Sequence, residues 1–199
     1  MNAWQPLLDW WFGAAETAGE VAAQRNRLWF GYRAEQDEQA RRLFGEPCAA
    51  ALAGGLQDWA EQPEGRLALI LLLDQLPRMI HRGTPQAFAG DARARSLLRE
   101  GLERGFDTGL APIQRVFAYL VLEHAEDPAL QDEAVARFTG LRDQAPAAER
   151  ELFAGFLDFA ERHRDVIRRF GRFPHRNPTL GRPSTAEELA FLDKPGSRF

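Results

Sequence analysis

Leu67-Ala68-Leu69-Ile70-Leu71-Leu72-Leu73, followed by Asp74-Gln75-Leu76-Pro77-Arg78, is the stretch whose reading decides the fold. The seven apolar residues lack β-branched enrichment and run on into further helical pattern, so they read as helix and not as buried strand. A helix that is apolar all round offers no face to water and belongs in the middle of a fold. Pro77 has no N–H and its ring crowds the carbonyl of Leu73, so the helix must kink or stop there. A carboxylate beside a buried helix end needs donors, and Arg78 stands four residues from Asp74. A helix-end ion pair and a polar group held at a pocket rim both satisfy this pattern.

Working outward, Pro and Gly punctuate the chain at helical intervals. Pro6 to Phe12 reads as a short helix ending at Gly13, with Trp10, Trp11 and Phe12 as its apolar load. Arg25 to Phe44 reads as a second, with Leu28, Trp29 and Tyr32 near one face. Residues 48–60 are Ala-rich, with a break at Gly54-Gly55, and Pro63 opens the central helix. Beyond it, Thr84-Pro85 is an N-cap with proline at the first helical position, predicting a helix to about Arg104. Pro112 and Pro128 open two more. Pro146 precedes a long helix with Leu152, Phe156, Phe159, His163, Ile167 and Phe170 on one stripe, stopped by Gly171. Ser184-Thr185-Ala186-Glu187-Glu188 holds two overlapping capping boxes and starts a last helix to Leu192. No stretch alternates like a strand. The fold expected is all-α, about eight helices in antiparallel hairpins, forming either a bundle or a solenoid.

The 199 residues, 45% hydrophobic, suffice for one domain over 1–199 with a sizeable core. One cysteine, Cys48, excludes an intramolecular disulfide framework and fits a reducing compartment. In its Ala-rich surroundings it reads as a small core residue. No basic, apolar leader is apparent, and no apolar run approaches the roughly 20 residues that span a bilayer. A cytoplasmic protein without membrane association is therefore expected. The net charge of −4 argues against a general nucleic-acid binder. From Arg162 to Arg182, however, seven arginines face one acid, Asp165, giving +6 and leaving −10 for the rest. This asymmetry marks an interaction tail or a basic segment docked on its own acidic chain. Gly171, Pro174, Pro178 and Gly181 forbid a continuous helix there, predicting a non-helical Arg-rich strap at about 171–183 packed on the helices.

Three groups of residues can carry chemistry. Asp74 with Arg78 is the first. In the second, Glu123-His124-Ala125-Glu126-Asp127, two carboxylates share a helix face beside a histidine, as in general acid–base and metal sites. The spacing is not the Glu-x-x-His of di-iron bundles. No metal or other cofactor is expected, and His124 on the stripe of Val116, Phe117 and Leu120 also reads as a core histidine. The third is Arg168-Arg169-Phe170-Gly171-Arg172-Phe173-Pro174-His175-Arg176-Asn177 with Leu180-Gly181-Arg182. Its arginines and aromatics suit a docked strap, or recognition of carboxylates or other anions, better than nucleic acid.

These motifs resemble a bacterial family known only as domain of unknown function 924. The likeness is carried by Trp11-Phe12-Gly13, by 69–78, by Arg82-Gly83-Thr84-Pro85-Gln86-Ala87-Phe88-Ala89-Gly90-Asp91, by 122–127 with Gln131 and His163, and by 170–177 with 180–188. It implies a tetratricopeptide-like α–α superhelix and assigns no reaction. The family pattern has Asn where Met79 stands, and Pro and Ser where Val121 and Ala125 stand.

The leading functional expectation is a binding module. In it Arg78, Arg82, Arg169, Arg172, His175 and Arg176, held and balanced by Glu123, Glu126, Asp74 and Asp91, recognise an anionic small molecule or peptide carboxylate. The alternatives are a small hydrolase or transferase using Glu123 or Glu126 with His124 or His163, and a purely structural ion-pair network. The reading leans away from an enzyme and leaves the oligomeric state open.

Overall fold

The computed structural model describes residues 2–197, and among them there is no strand. The helices are α1 (Gln5–Phe12), α2 (Ala18–Phe30), α3 (Ala34–Leu52), α4 (Pro63–Leu73), α5 (Gln75–Ile80), α6 (Asp91–Glu103), α7 (Pro112–Glu123), α8 (Pro128–Gln144), α9 (Arg150–Phe170) and α10 (Ala186–Leu192). The all-α expectation holds. Helix α4 is the hub, packed against α1, α3, α5, α6 and α7, with Leu67 to Leu73 buried on every side. Proline at its first turn costs nothing, because that N–H has no intrahelical acceptor. An aromatic cluster fills one flank: Trp11, Phe12 and Trp29 all pack on Phe117 of α7. Among the described residues no helix is long and apolar enough to cross a membrane.

Several boundaries differ from the sequence reading. Residues 25–44 are not one helix. Thr17 and Glu20 form a capping box that starts α2 early, and the chain breaks at Gly31. A Cβ on Gly31 would sit 2.4 Å from the carbonyl oxygen of Arg27, so only glycine fits that break. Tyr32 falls outside the helix and is 72% exposed, its ring lying under the Arg82 guanidinium. Helix α3 continues through Pro47 to Leu52. Thr84 does not cap a long helix: its side chain accepts no capping hydrogen bond, and its hydroxyl donates to the carbonyl of His81. Residues 85–88 form only a 3₁₀ turn, and α6 begins afresh at Asp91.

The stripe on α9 is also shifted. Phe153, Leu157, Ala160, His163 and Ile167 are buried, whereas Phe159 lies exposed beneath Arg162. Helix α9 packs along α8, its neighbour through residues 145–149. Gly171, at φ +69°, ends it in the left-handed conformation that glycine adopts without steric cost and turns the chain back. Of the two overlapping boxes, Thr185 with Glu188 caps α10.

Candidate functional site

The α4–α5 junction, the C-terminus of α7, the start of α6 and the segment 173–182 converge on one polar cluster. Asp74 ends α4 and is 0% exposed. Its carboxylate accepts from Gln75 Nε2 at 2.6 Å and contacts His124 Nδ1 at 2.8 and 3.0 Å, with Arg78 Nη1 at 3.1 Å. Burial alone would raise the Asp74 pKa. The charge of Arg78 and the hydrogen bonds from His124 and Gln75 outweigh it and hold the group below the usual carboxylate range. An ionised Asp74 needs donors, so His124 presents Nδ1–H to it. Burial, reinforced by Arg78 and Arg176, outweighs the pull of Asp74 and pushes the His124 pKa down, so the ring is neutral with its lone pair on Nε2.

Arg78 is fully committed. It donates to the Asp74 carbonyl at 2.6 Å and to both oxygens of Asp91 at 2.9 and 3.0 Å. Gly90 makes this approach possible, since a Cβ there would lie 2.2 Å from the carbonyl oxygen of Leu73. Asp91 therefore reaches the end of α4 only because residue 90 has no side chain. Gln131 of α8 holds the α7 terminus by donating to the carbonyls of Glu123 and Ala125 at 2.6 and 2.8 Å. Those carbonyls have no intrahelical partner, and the clamp fixes the turn bearing His124.

The basic segment folds over this terminus. Glu126 accepts from the Phe173 backbone N–H at 2.8 Å and from Arg182 at 2.6 and 2.9 Å. Burial works against its charge, but Arg182 and the Phe173 N–H keep its pKa below the ordinary value. Arg172 is held by Glu188 at 2.6 and 2.8 Å and by the Pro183 carbonyl at 2.9 Å. Arg176 differs. Its side chain is 8% exposed, sandwiched between Phe88 at 4.9 Å and Phe173 at 4.5 Å. Nη1 donates to the His124 carbonyl at 3.0 Å, and the nearest carboxylate, Asp91, is 3.8 Å away. Nε is buried without a hydrogen-bond acceptor among the described residues. Desolvation, together with the Arg78 charge, lowers its pKa to about 10.

Beside these groups opens a cleft of about 560 Å³, lined by Phe88, Asp91, Arg95, His124, Glu126 and Arg176 among others. Of the residues singled out from sequence, Asp74, Arg78, Asp91, His124, Glu126 and Arg176 meet here. Glu123 and His163 form a separate buried pair at 3.0 Å, away from the cleft lining. His175 packs on Phe173, and burial with the Arg176 charge pushes its pKa down to about 3. Arg82 lies elsewhere, paired with Asp37 of α3 at 2.8 and 2.9 Å. Arg169 binds Glu187 on the exposed side of α9. Cys48 is buried, its thiol pushed up to about 11 by desolvation. Sequence reasoning gave no site role to Phe88, Gly90 or Arg95, and only the Phe88-Ala89-Gly90-Asp91 run hinted at the first two.

The class these features define is an all-α protein with a buried polar network opening on one cleft. The chain belongs to a family described as bacterial protein of unknown function, DUF924, whose model matches residues 7–196. It is similar to the solved structure of a protein of unknown function from Agrobacterium tumefaciens, ATU0120. The two share 37% identity and a TM-score of 0.73, over 89% of this chain and 99% of that one. No curated protein matches it.

Proposed function

We propose that the protein is a binding module that takes an anionic small molecule or peptide carboxylate in the cleft beside His124. One observation carries this reading: Arg176 is a buried guanidinium with one hydrogen bond, to a carbonyl, while its neighbours Arg78, Arg172 and Arg182 are occupied. A desolvated guanidinium with unused N–H groups, its nearest carboxylate 3.8 Å away, binds an oxyanion through charge-assisted hydrogen bonds. Arg95, without an ion pair among the described residues, adds positive charge at the same cleft. The stacking of α6 on α7, α7 on α8 and α8 on α9 supports a tetratricopeptide-like arrangement carrying the cleft, and the buried thiol of Cys48 suits the cytoplasm.

Calorimetry with a panel of carboxylates, phosphates and peptides tests the reading. Saturable binding that weakens at least ~10-fold in Arg176→Gln is expected, the worth of one charged hydrogen bond. Binding by no anion, or binding indifferent to Arg176, overturns it.

A second reading is favoured by the Asp74–His124 pair, in which a buried carboxylate fixes the tautomer of a cleft histidine as in acid–base enzymes. His124 is then the base in a hydrolase or transferase. Glu126 is not, because both its oxygens already accept from Arg182. Turnover of an ester or phosphoester panel that survives Glu126→Gln but not His124→Ala would establish it.

A further inference from the structure

We infer that the cleft selects an oxyanion carrying its own hydroxyl, hydrogen phosphate or a 2-hydroxy acid, by pairing Arg176 as donor with His124 Nε2 as acceptor. The inference rests on the anion-binding reading and narrows its ligand class. His124 Nδ1 faces Asp74, so the ring's remaining nitrogen carries a lone pair. Nε2 has no hydrogen-bond partner among the described residues, and His124 is one of the residues that line the cleft. An acceptor there repels a bare oxyanion and rewards one that donates a proton.

The other acidic groups of the cleft are occupied. Asp91 accepts from Arg78, Glu126 from Arg182, and Asp127 from the Ala129 and Leu130 N–H groups at 2.8 and 3.2 Å as the cap of α8. The charged or titratable groups around His124 include Asp74 before α5, Arg78 on α5, His163 on α9 with its ring 6.5 Å away, His175 and Arg176. Burial, with the charges of Arg78 and Arg176, outweighs the opposing Asp74 carboxylate and disfavours a proton on His124, so Nε2 is an acceptor at neutral pH. Phe88, Leu130 and the methyl groups of Ala89, Ala92 and Ala125 supply an apolar wall for the body of the ligand.

Two matched pairs of probes test the inference on the full chain at neutral pH: inorganic phosphate against sulfate, and glycolate against acetate. Within each pair the charge is similar and only one member has a hydroxyl to donate. At least one protic member is expected to bind ~10-fold or more tightly than its partner, as one good hydrogen bond allows. Its binding should shift the imidazole nitrogen resonance of His124 and disappear in Arg176→Gln. The pair that discriminates identifies the ligand as phosphate or hydroxy acid. Equal affinities within both pairs, still dependent on Arg176, overturn the acceptor role and leave the anion-binding reading intact. No binding by any probe, or binding unchanged in Arg176→Gln, overturns both.

Discussion

Around residues 172–182 two arginine–carboxylate clusters meet, made of the same side chains and finished differently. On one side Arg182 bonds Glu126 twice, the Asn177 side chain and the Phe173 carbonyl, while Arg172, Asn177 and the Thr185 N–H converge on Glu188. Donors and acceptors there are matched, so the cluster works as a clasp between α9, α10 and the α7 terminus. On the other side Asp74, Arg78 and Asp91 satisfy one another, and the surplus falls on Arg176 and on Nε2 of His124, both at the cleft. A buried network is rigid when complete and costly when not, so unsatisfied groups that persist beside a cleft point to a ligand. Counting arginines does not separate clasp from site; an unused N–H on an arginine that lines the cleft does.

The sharpest way to break this contrast is Asp74→Ala. It leaves Arg78 and His124 short of a buried partner and should cost about 3–5 kcal/mol in urea unfolding. A loss below ~1 kcal/mol would mean that the core tolerates the uncompensated charge and that the network is not an anchor. Arg182→Met tests the clasp, with an expected loss of about 2 kcal/mol from its charged hydrogen bonds to Glu126.

Acid should erode stability from the histidine side. The folded-state pKa values of His124 and His175 are depressed, so the unfolded chain binds protons first as pH falls below about 6.5. For His175 that loss continues down to about 3, against the neighbouring charges of Arg176, His163, His124 and Glu126. For His175 about 2 kcal/mol should be gone by pH ~5, read as a falling denaturation midpoint, with His124 adding to the loss in the same direction.

Arg176→Met sharpens the comparison most. Removing an under-satisfied buried cation while keeping an apolar stem should leave stability within about 1 kcal/mol of the parent, or raise it, while anion binding is lost. A drop as large as that for Arg182→Met would place Arg176 in the clasp instead. Arg169→Ala, on the exposed rim, should change stability by no more than ~0.5 kcal/mol and leave binding untouched.

Much of the fold was legible locally. The all-round apolarity of 67–73, prolines at the first turn of α4, α7 and α8, and the Thr185–Glu188 box need only neighbouring residues to be read. The misread parts depended on distant atoms. The α9 stripe is set by the face that α8 covers, and the Thr84 hydroxyl found His81 before it found a helix to cap. The candidate site was half legible. Asp74, Arg78, Asp91, His124 and Arg176 stood out by type, but so did Arg82 and Arg169, which the fold pairs with Asp37 and Glu187.

The sequence by itself therefore determined the helices, the buried hub and the identity of the polar side chains, because propensity, capping and hydrophobic period act within a few residues. Only the tertiary structure decided which arginine beside the cleft is left short of an acceptor. That depends on how many carboxylates, drawn from positions as far apart as 37, 91, 126 and 188, come within hydrogen-bonding distance of each guanidinium. Satisfaction of a charge is a property of the assembled volume around it, and no local stretch of chain encodes it.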